Sequence, residues 1–212
     1  MSVVGIIPAA GSGERLGSDG PKAFVVVGGR PLLDWSVDVL SAVCSRVVVA
    51  VPEGHEGEDR IRGGAVRSES VRLALEAAPE ASVVVVHDAA RPLVSVDLVR
   101  ECIAALDGVD GAIAAAPMTD TVKEAGESGV VERTLDRGRL WRVQTPQVFR
   151  ADVLRRALDV SDDALAAATD DAALVEAAGG TIRVVEAPAD NIKVTRAVDL
   201  ALAELLLAER KS

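Results

Sequence analysis

Val83-Val84-Val85-Val86-His87-Asp88 is the stretch on which the fold turns. Four consecutive valines are too few for a helix and suit a strand buried on both faces of a parallel sheet. Asp88 then stands at the carboxyl end of a central strand. Working toward the N-terminus, Ser68–Ala78 reads as a helix with Ser68 as N-cap, Arg46–Val51 as a valine-rich strand, Leu32–Val43 as a helix and Val3–Pro8 as a buried strand. Working toward the C-terminus, Ser95–Leu106 is a helix capped by Ser95, and Ala112–Ala116 is a strand. Helical patterns follow at Val153–Leu158 and Asp170–Ala178, then a strand at Thr181–Val185 and a terminal helix at Ala197–Lys211 with Thr195 as N-cap. Alternating β and α elements predict an α/β, Rossmann-like fold with a mostly parallel sheet and helices on both faces.

The alternation breaks between Thr119 and Arg142. This segment is polar, and Gly126 and Gly129 mark a turn flanked by Thr121-Val122-Lys123 and Val130-Val131-Glu132-Arg133-Thr134-Leu135. It reads as a β-hairpin arm protruding from the main sheet. With no internal repeat or linker, residues 1–212 read as a single domain whose arm covers about 119–142.

Composition narrows the function. A hydrophobic content of 49% excludes a disordered chain. The aromatics are only Phe24, Trp35, Trp141 and Phe149, so the core is aliphatic and single-stranded nucleic acid finds no stacking platform. A net charge of −10 repels nucleic acid and anionic lipid surfaces. A small anionic substrate then requires a local cluster of cations. Cys44 and Cys102 lie far apart in apolar helical patterns and read as buried free thiols. Met1-Ser2-Val3-Val4 lacks the basic start of a signal peptide, and no apolar run reaches membrane-spanning length. The expectation is a cytoplasmic protein with no membrane partner.

The first strand ends in Pro8-Ala9-Ala10-Gly11-Ser12-Gly13-Glu14-Arg15-Leu16-Gly17, followed by Ser18-Asp19-Gly20-Pro21-Lys22. Small residues let backbone N–H groups approach a phosphate chain, and Arg15 and Lys22 add positive charge. Ligands of open parallel sheets sit at the carboxyl ends of strands, where this loop falls. It is not a Walker A loop, because Lys22 follows a proline. It is not a dinucleotide fingerprint either, because Leu16 holds the third glycine position. A glycine-rich turn without a ligand is the alternative. The pairing of Arg15 with Lys22 favours phosphate binding.

Pro8-Ala9-Ala10-Gly11-Ser12-Gly13-Glu14-Arg15-Leu16 with Pro21-Lys22 resembles the signature of nucleotidyltransferases that activate small phosphates. His87-Asp88-Ala89-Ala90-Arg91-Pro92, Leu140-Trp141, Gln144-Thr145-Pro146-Gln147 and Ala189-Asp190-Asn191-Ile192-Lys193-Val194-Thr195 narrow it. Together they resemble the 2-C-methyl-D-erythritol 4-phosphate cytidylyltransferases of non-mevalonate isoprenoid synthesis, from about Val3 to Leu207. The resemblance implies a nucleotidyltransferase fold, CTP and a polyol phosphate as substrates, a divalent cation such as Mg²⁺, and a homodimer built through the arm. In such a reaction a substrate phosphate oxygen attacks the α-phosphorus of CTP and pyrophosphate leaves, so catalysis is positioning and electrostatics.

The resemblance also implies roles. Arg15 and Lys22 hold the triphosphate and stabilise the transition state, and Lys193 stands near the substrate phosphate. The backbone of Ala9, Ala10, Gly11, Ser12 and Gly13 cradles the nucleotide, with Ala89 beside it, and Gly64 and Ser70 contact the cytosine. Asp88, Arg91, Thr134, Arg150 and Thr169 are implied on the substrate side, with Thr134 reaching the partner subunit's site and Asp88 also a Mg²⁺ ligand. Each has a plainer alternative. Ser70 suits the first turn of a helix, Lys193 an exposed position before one, and Thr134 an ordinary strand. Thr169 suits an N-cap followed by acids at a helix start. A buried, unpaired Asp88 would cost several kcal/mol, which a salt bridge to Arg91 would remove as well as a ligand would. His87 is assigned no role.

The chain departs from the family pattern in three places. Ala65 replaces a frequent polar residue. Ala151 stands where a substrate-phosphate arginine is expected, with Arg150 as its candidate replacement. The segment between Val51 and Gly63 is short, which predicts a missing edge strand. A ribitol 5-phosphate cytidylyltransferase and a non-catalytic nucleotide-sensing module are the competing functions. The retention of Arg15, Lys22, Asp88, Arg91 and Lys193 together argues against the latter.

Overall fold

In this computed structural model, which describes residues 2–11, 13 and 20–210, the chain opens with β1 (Val3–Pro8). A small hairpin of β2 (Val26–Val27) and β3 (Arg30–Pro31) leads into α1 (Leu32–Ser41). Then come β4 (Arg46–Val51), β5 (Arg60–Arg62), α2 (Arg67–Glu76), β6 (Val83–Val86), α3 (Val96–Ala104) and β7 (Gly111–Pro117). The second half holds β8 (Lys123–Ala125), β9 (Val131–Thr134), β10 (Trp141–Arg150), α4 (Ala151–Leu158), α5 (Asp162–Ala167), α6 (Asp171–Ala177), β11 (Ile182–Glu186) and α7 (Ala197–Glu209).

Seven strands form one sheet in the order β11-β7-β10-β6-β1-β4-β5. β6, β1, β4 and β5 run parallel, and β11 is parallel to β7. The alternation of side chains along buried strands builds a core on each face. Val4, Ile6, Val48, Val84 and Val86 pack toward α2, α4 and α6. Ile7, Val49, Val51, Val83 and Val85 pack toward α1 and α3. The mostly parallel sheet with helices on both faces is as the sequence predicts. No helix among the described residues is long and apolar enough to cross a membrane.

Several local expectations are corrected. The edge strand is present: β5, only three residues long, pairs with β4 through Val49↔Arg60 to Val51↔Arg62. β10 inserts antiparallel between β6 and β7, which the alternating pattern does not announce. Its first residue, Trp141, pairs with Pro117 of the main sheet, so the excursion ends before residue 141. Within it β8 and β9 make a separate two-stranded sheet.

Ser95 caps α3, its hydroxyl accepting the Leu98 N–H at 3.1 Å, but the other expected caps are displaced. Ser68 lies inside α2 and donates to the Leu165 carbonyl at 2.6 Å, tying α2 to the end of α5. Asp170, not Thr169, caps α6 by accepting the Ala173 N–H at 2.9 Å. At α7 the Asp199 carboxylate accepts from both Thr195 N at 2.9 Å and Arg196 N at 2.8 Å, leaving the Thr195 hydroxyl out of the cap. A carboxylate one turn into the helix satisfies the orphan N–H groups as well as a hydroxyl before it would.

Candidate active site

Because β1, β5 and β6 point the same way, the segments that follow them converge at one end of the sheet. Ala9, Ala10 and Gly11 follow β1, Gly64 follows β5, and Asp88 and Ala89 follow β6. They line an open cleft of about 490 Å³. Lys22 joins from a short 3₁₀ turn, Lys22–Phe24, that is tied back by Lys22 N donating to Gly11 O at 3.3 Å. Lys193 and Thr195 arrive from the segment after β11, and Arg67 from the first turn of α2. The wall is tight at Gly63, where a Cβ would lie 2.5 Å from Ala10 Cβ. Only glycine lets the end of β5 approach the loop after β1 this closely.

Asp88 is the centre of charge. Arg67 Nε donates to its Oδ1 at 3.1 Å, and Lys193 Nζ lies 2.7 Å from its Oδ2. Arg91 Nε lies farther off, 3.9 Å from Oδ2. Burial pushes the Asp88 carboxyl up, but Arg67, Lys193 and Arg91 reverse this and hold it well below the usual carboxylate range. Arg67 also donates through Nη1 to Asp171 Oδ2 at 2.7 Å. Burial raises the Asp171 carboxyl, against the pull of Arg67.

Beneath this surface the sequence motifs interlock in a buried polar layer. Asp88 N donates to Thr145 Oγ1 at 3.0 Å, and Thr145 Oγ1 stands 3.0 Å from His87 Nδ1. Asn191 Nδ2 donates to Gln144 Oε1 at 2.8 Å and to Thr145 O at 3.0 Å, while Arg91 Nη1 donates to Asn191 O at 2.7 Å. Such a hydrogen-bonded polar layer is rigid, so the loops carrying Asp88 and Lys193 are held against each other.

Residues 3–209 match the family described as IspD, 2-C-methyl-D-erythritol 4-phosphate cytidylyltransferase. The chain belongs to this cytidylyltransferase family. The protein of that name from Saccharopolyspora erythraea is 44% identical over 227 residues, covering 98% of this chain and 100% of the relative. The one from Frankia casuarinae is 48% identical over 219 residues, covering 97% of this chain and 81% of the relative. The crystal structure of the Thermus thermophilus cytidylyltransferase has a TM-score of 0.84 at 39% identity, covering 98% of this chain and 100% of that one. The family is one of nucleotidyltransferase enzymes, and the Rossmann-like sheet is its fold.

Of the residues expected from resemblance to the cytidylyltransferases, Ala9, Ala10, Gly11, Gly13, Lys22, Gly64, Ser70, Asp88, Ala89 and Lys193 all line the cleft. Ser12 and Arg15 lie outside the described residues. Arg91 sits behind the cleft wall, its guanidinium on the Asn191 carbonyl. Thr169 is exposed, two residues before the buried Asp171. Thr134 is on β9, where Lys123 Nζ donates to its hydroxyl at 2.6 Å, and it does not line its own chain's cleft.

Arg150 is a correction. β10 is antiparallel, so its last residue pairs with Val83, at the end of β6 away from Asp88. The Arg150 guanidinium donates there to Val109 O at 3.1 Å and Leu106 O at 3.4 Å. It stands outside its own chain's cleft, and Ala151 is buried at the start of α4.

Asp88, expected as a metal ligand, carries a cationic donor on each oxygen, Arg67 on Oδ1 and Lys193 on Oδ2. A dication placed on Asp88 would meet Arg67 and Lys193. Arg67, Asp171 and Thr145 join the site without any motif that singles them out as site residues. A cation in the first turn of a helix opposes the macrodipole, and that anomaly at Arg67 was the available signal.

Proposed function

We propose that this chain transfers a cytidylyl group from CTP to 2-C-methyl-D-erythritol 4-phosphate, releasing pyrophosphate in the non-mevalonate route to isoprenoid precursors. The observation that carries the reading is the placing of Lys22 and Lys193 on one cleft in a chain of net charge −10. Cations so placed offset the charge of two phosphorylated substrates. A phosphate oxygen of the polyol forms a bond to the α-phosphorus, and the bond from that phosphorus to the bridging oxygen of pyrophosphate breaks. Lys22, with Arg15, meets the negative charge that builds on the phosphates. Lys193 meets the polyol phosphate, and Asp88 accepts from a polyol hydroxyl.

Ser70 supports a preference for cytosine. Its hydroxyl accepts the Gly64 N–H at 3.0 Å and faces the Val66 carbonyl at 3.2 Å, where its proton goes. One lone pair is left, which suits a donor such as the amine of cytosine and opposes the carbonyl that uracil carries in its place.

A divalent cation, most simply Mg²⁺, belongs to this reading with its oxygen ligands drawn from the phosphates, as Mg²⁺ prefers. A homodimer belongs to it as well. The arm exposes Val130 at 68% and Val131 at 54%, with Trp141 and Val143 exposed at its base, and a lone two-stranded hairpin is marginal in water. Docking the arm on a second copy would cover these side chains and bring Thr134 to the partner's cleft. Buried free Cys44 and Cys102 suit the cytoplasm.

The test is pyrophosphate release from purified protein across four nucleotides and several polyol phosphates. CTP with 2-C-methyl-D-erythritol 4-phosphate is expected to give the highest kcat/KM. A higher value with ribitol 5-phosphate would replace this reading, and no turnover with any pair would leave a nucleotide-sensing module.

A further inference from the structure

We propose that Arg67 is a positioning residue for the polyol-phosphate side of the cleft. Anchored by Asp171, it holds one oxygen of Asp88 in place while Lys193 leaves the other to meet the substrate phosphate. The inference rests on the reading of Asp88 and Lys193 as polyol-phosphate contacts.

The geometry is a chain of charges: Asp171, Arg67, Asp88, Lys193. Two of the three guanidinium nitrogens of Arg67 are committed to different carboxylates, Nε to Asp88 Oδ1 at 3.1 Å and Nη1 to Asp171 Oδ2 at 2.7 Å. Asp171 is fully buried at the first residue of α6, and its other oxygen, Oδ1, has no hydrogen-bond partner among the described residues. Asp171 is therefore tied to Arg67 and to little else. Turning Arg67 away from Asp88 would strand a buried charge.

Lys193 is placed differently. Its side chain is 41% exposed, against 10% for Asp88, and its single contact to that carboxylate is a point charge on a flexible stem. A dianionic phosphate entering the cleft competes with Asp88 Oδ2 for that ammonium. When Lys193 turns to the phosphate, Oδ2 becomes an open acceptor for a polyol hydroxyl. Oδ1 stays fixed, so the carboxylate keeps its orientation and its counter-charge throughout the exchange. The planar fork of arginine is what this requires, since lysine cannot hold two separated carboxylates in a fixed geometry.

Arg67→Lys tests this while keeping the charge, with folding checked by thermal denaturation. The KM for 2-C-methyl-D-erythritol 4-phosphate should rise about tenfold or more, the scale of a lost charge-assisted hydrogen bond, with the KM for CTP within about twofold. Asp171→Asn keeps the shape, loosens the anchor, and should shift the same KM in the same direction. It carries the test if Arg67→Lys does not fold. Equal rises in both KM values, or neither rising, would overturn the positioning role. Asp88→Asn separates the two layers. If it leaves the polyol-phosphate KM unchanged, the underlying reading of Asp88 fails. If it raises that KM while the Arg67 and Asp171 variants do not, the positioning role alone fails.

Discussion

The Thr145 hydroxyl accepts the Asp88 main-chain N–H at 3.0 Å and lies 3.0 Å from His87 Nδ1. The amide supplies its own proton, so the hydroxyl proton goes to the imidazole. The ring proton then sits on Nε2, facing the Arg91 carbonyl at 3.2 Å. Thr145→Val would leave two buried polar groups unpaired and should cost about 2–4 kcal/mol of stability. Thr145→Ser keeps the hydroxyl and should cost much less. Urea denaturation of the two variants checks the difference, and a fall in kcat/KM should accompany the valine variant.

His87 should be neutral in the folded protein down to low pH. Burial pushes its imidazole down to about 4, and the nearby Asp88 only partly opposes this. As the pH falls the unfolded chain takes the proton first. The stability that neutral His87 contributes is therefore full above about pH 6.5 and is lost as the pH falls toward 4, by up to about 3 kcal/mol. Denaturation midpoints measured from pH 7 to pH 4 should fall with a slope that is one proton shallower in His87→Gln. An equal slope in both proteins would show that His87 titrates normally.

Lys22→Ala should depress kcat far more than it weakens CTP binding. A cation set on developing charge acts chiefly in the transition state, and loss of such a donor typically costs on the order of a hundredfold. Steady-state kinetics with direct CTP titration separates the two. A raised KM at unchanged kcat would make Lys22 a binding residue only.

Excess EDTA should abolish turnover, and added Mg²⁺ should restore it. If the phosphates supply the metal's ligands, Asp88→Asn should raise the KM for the polyol phosphate while the Mg²⁺ concentration giving half-activation stays as in the parent. A large shift in that concentration would return Asp88 to the metal.

Mixing Lys22→Ala with Thr134→Ala should restore activity above either parent. If Thr134 serves the partner's site, a mixed dimer has one site with both lesions and one with neither. If it serves its own subunit, every site keeps a lesion and nothing is rescued. Co-refolding with a tagged subunit establishes exchange first, and a monomer in sedimentation at micromolar concentration would rule the arrangement out.

Much of this architecture was legible because burial on both faces demands apolar runs. Val83–Val86 could be little else than a central strand, and its direction put Asp88 at the ligand end. Strand direction was also where reading failed. Nothing in Trp141–Arg150 announces that it runs antiparallel, so the sequence does not show that Arg150 caps the end of the sheet opposite the cleft. β5 was missed because three residues carry too little periodicity. Arg67 was missed because its carboxylates, Asp88 and Asp171, are 21 and 104 residues away in the chain. Local pattern carries no record of such partners.

The placement of β10 also sets an order of assembly. Among the described residues, β7 pairs only with β10 and β11, both of which follow it in the chain. During synthesis β6, β1, β4 and β5 can associate among themselves, while β7 has no strand to join until β10 has emerged. Thr145, within β10, and Lys193, after β11, both emerge later than the loop they support. The half of the sheet that carries the glycine loop can thus form first, and the cleft gains the wall that carries Lys193 only in the last steps of folding, when long-range pairing closes the sheet.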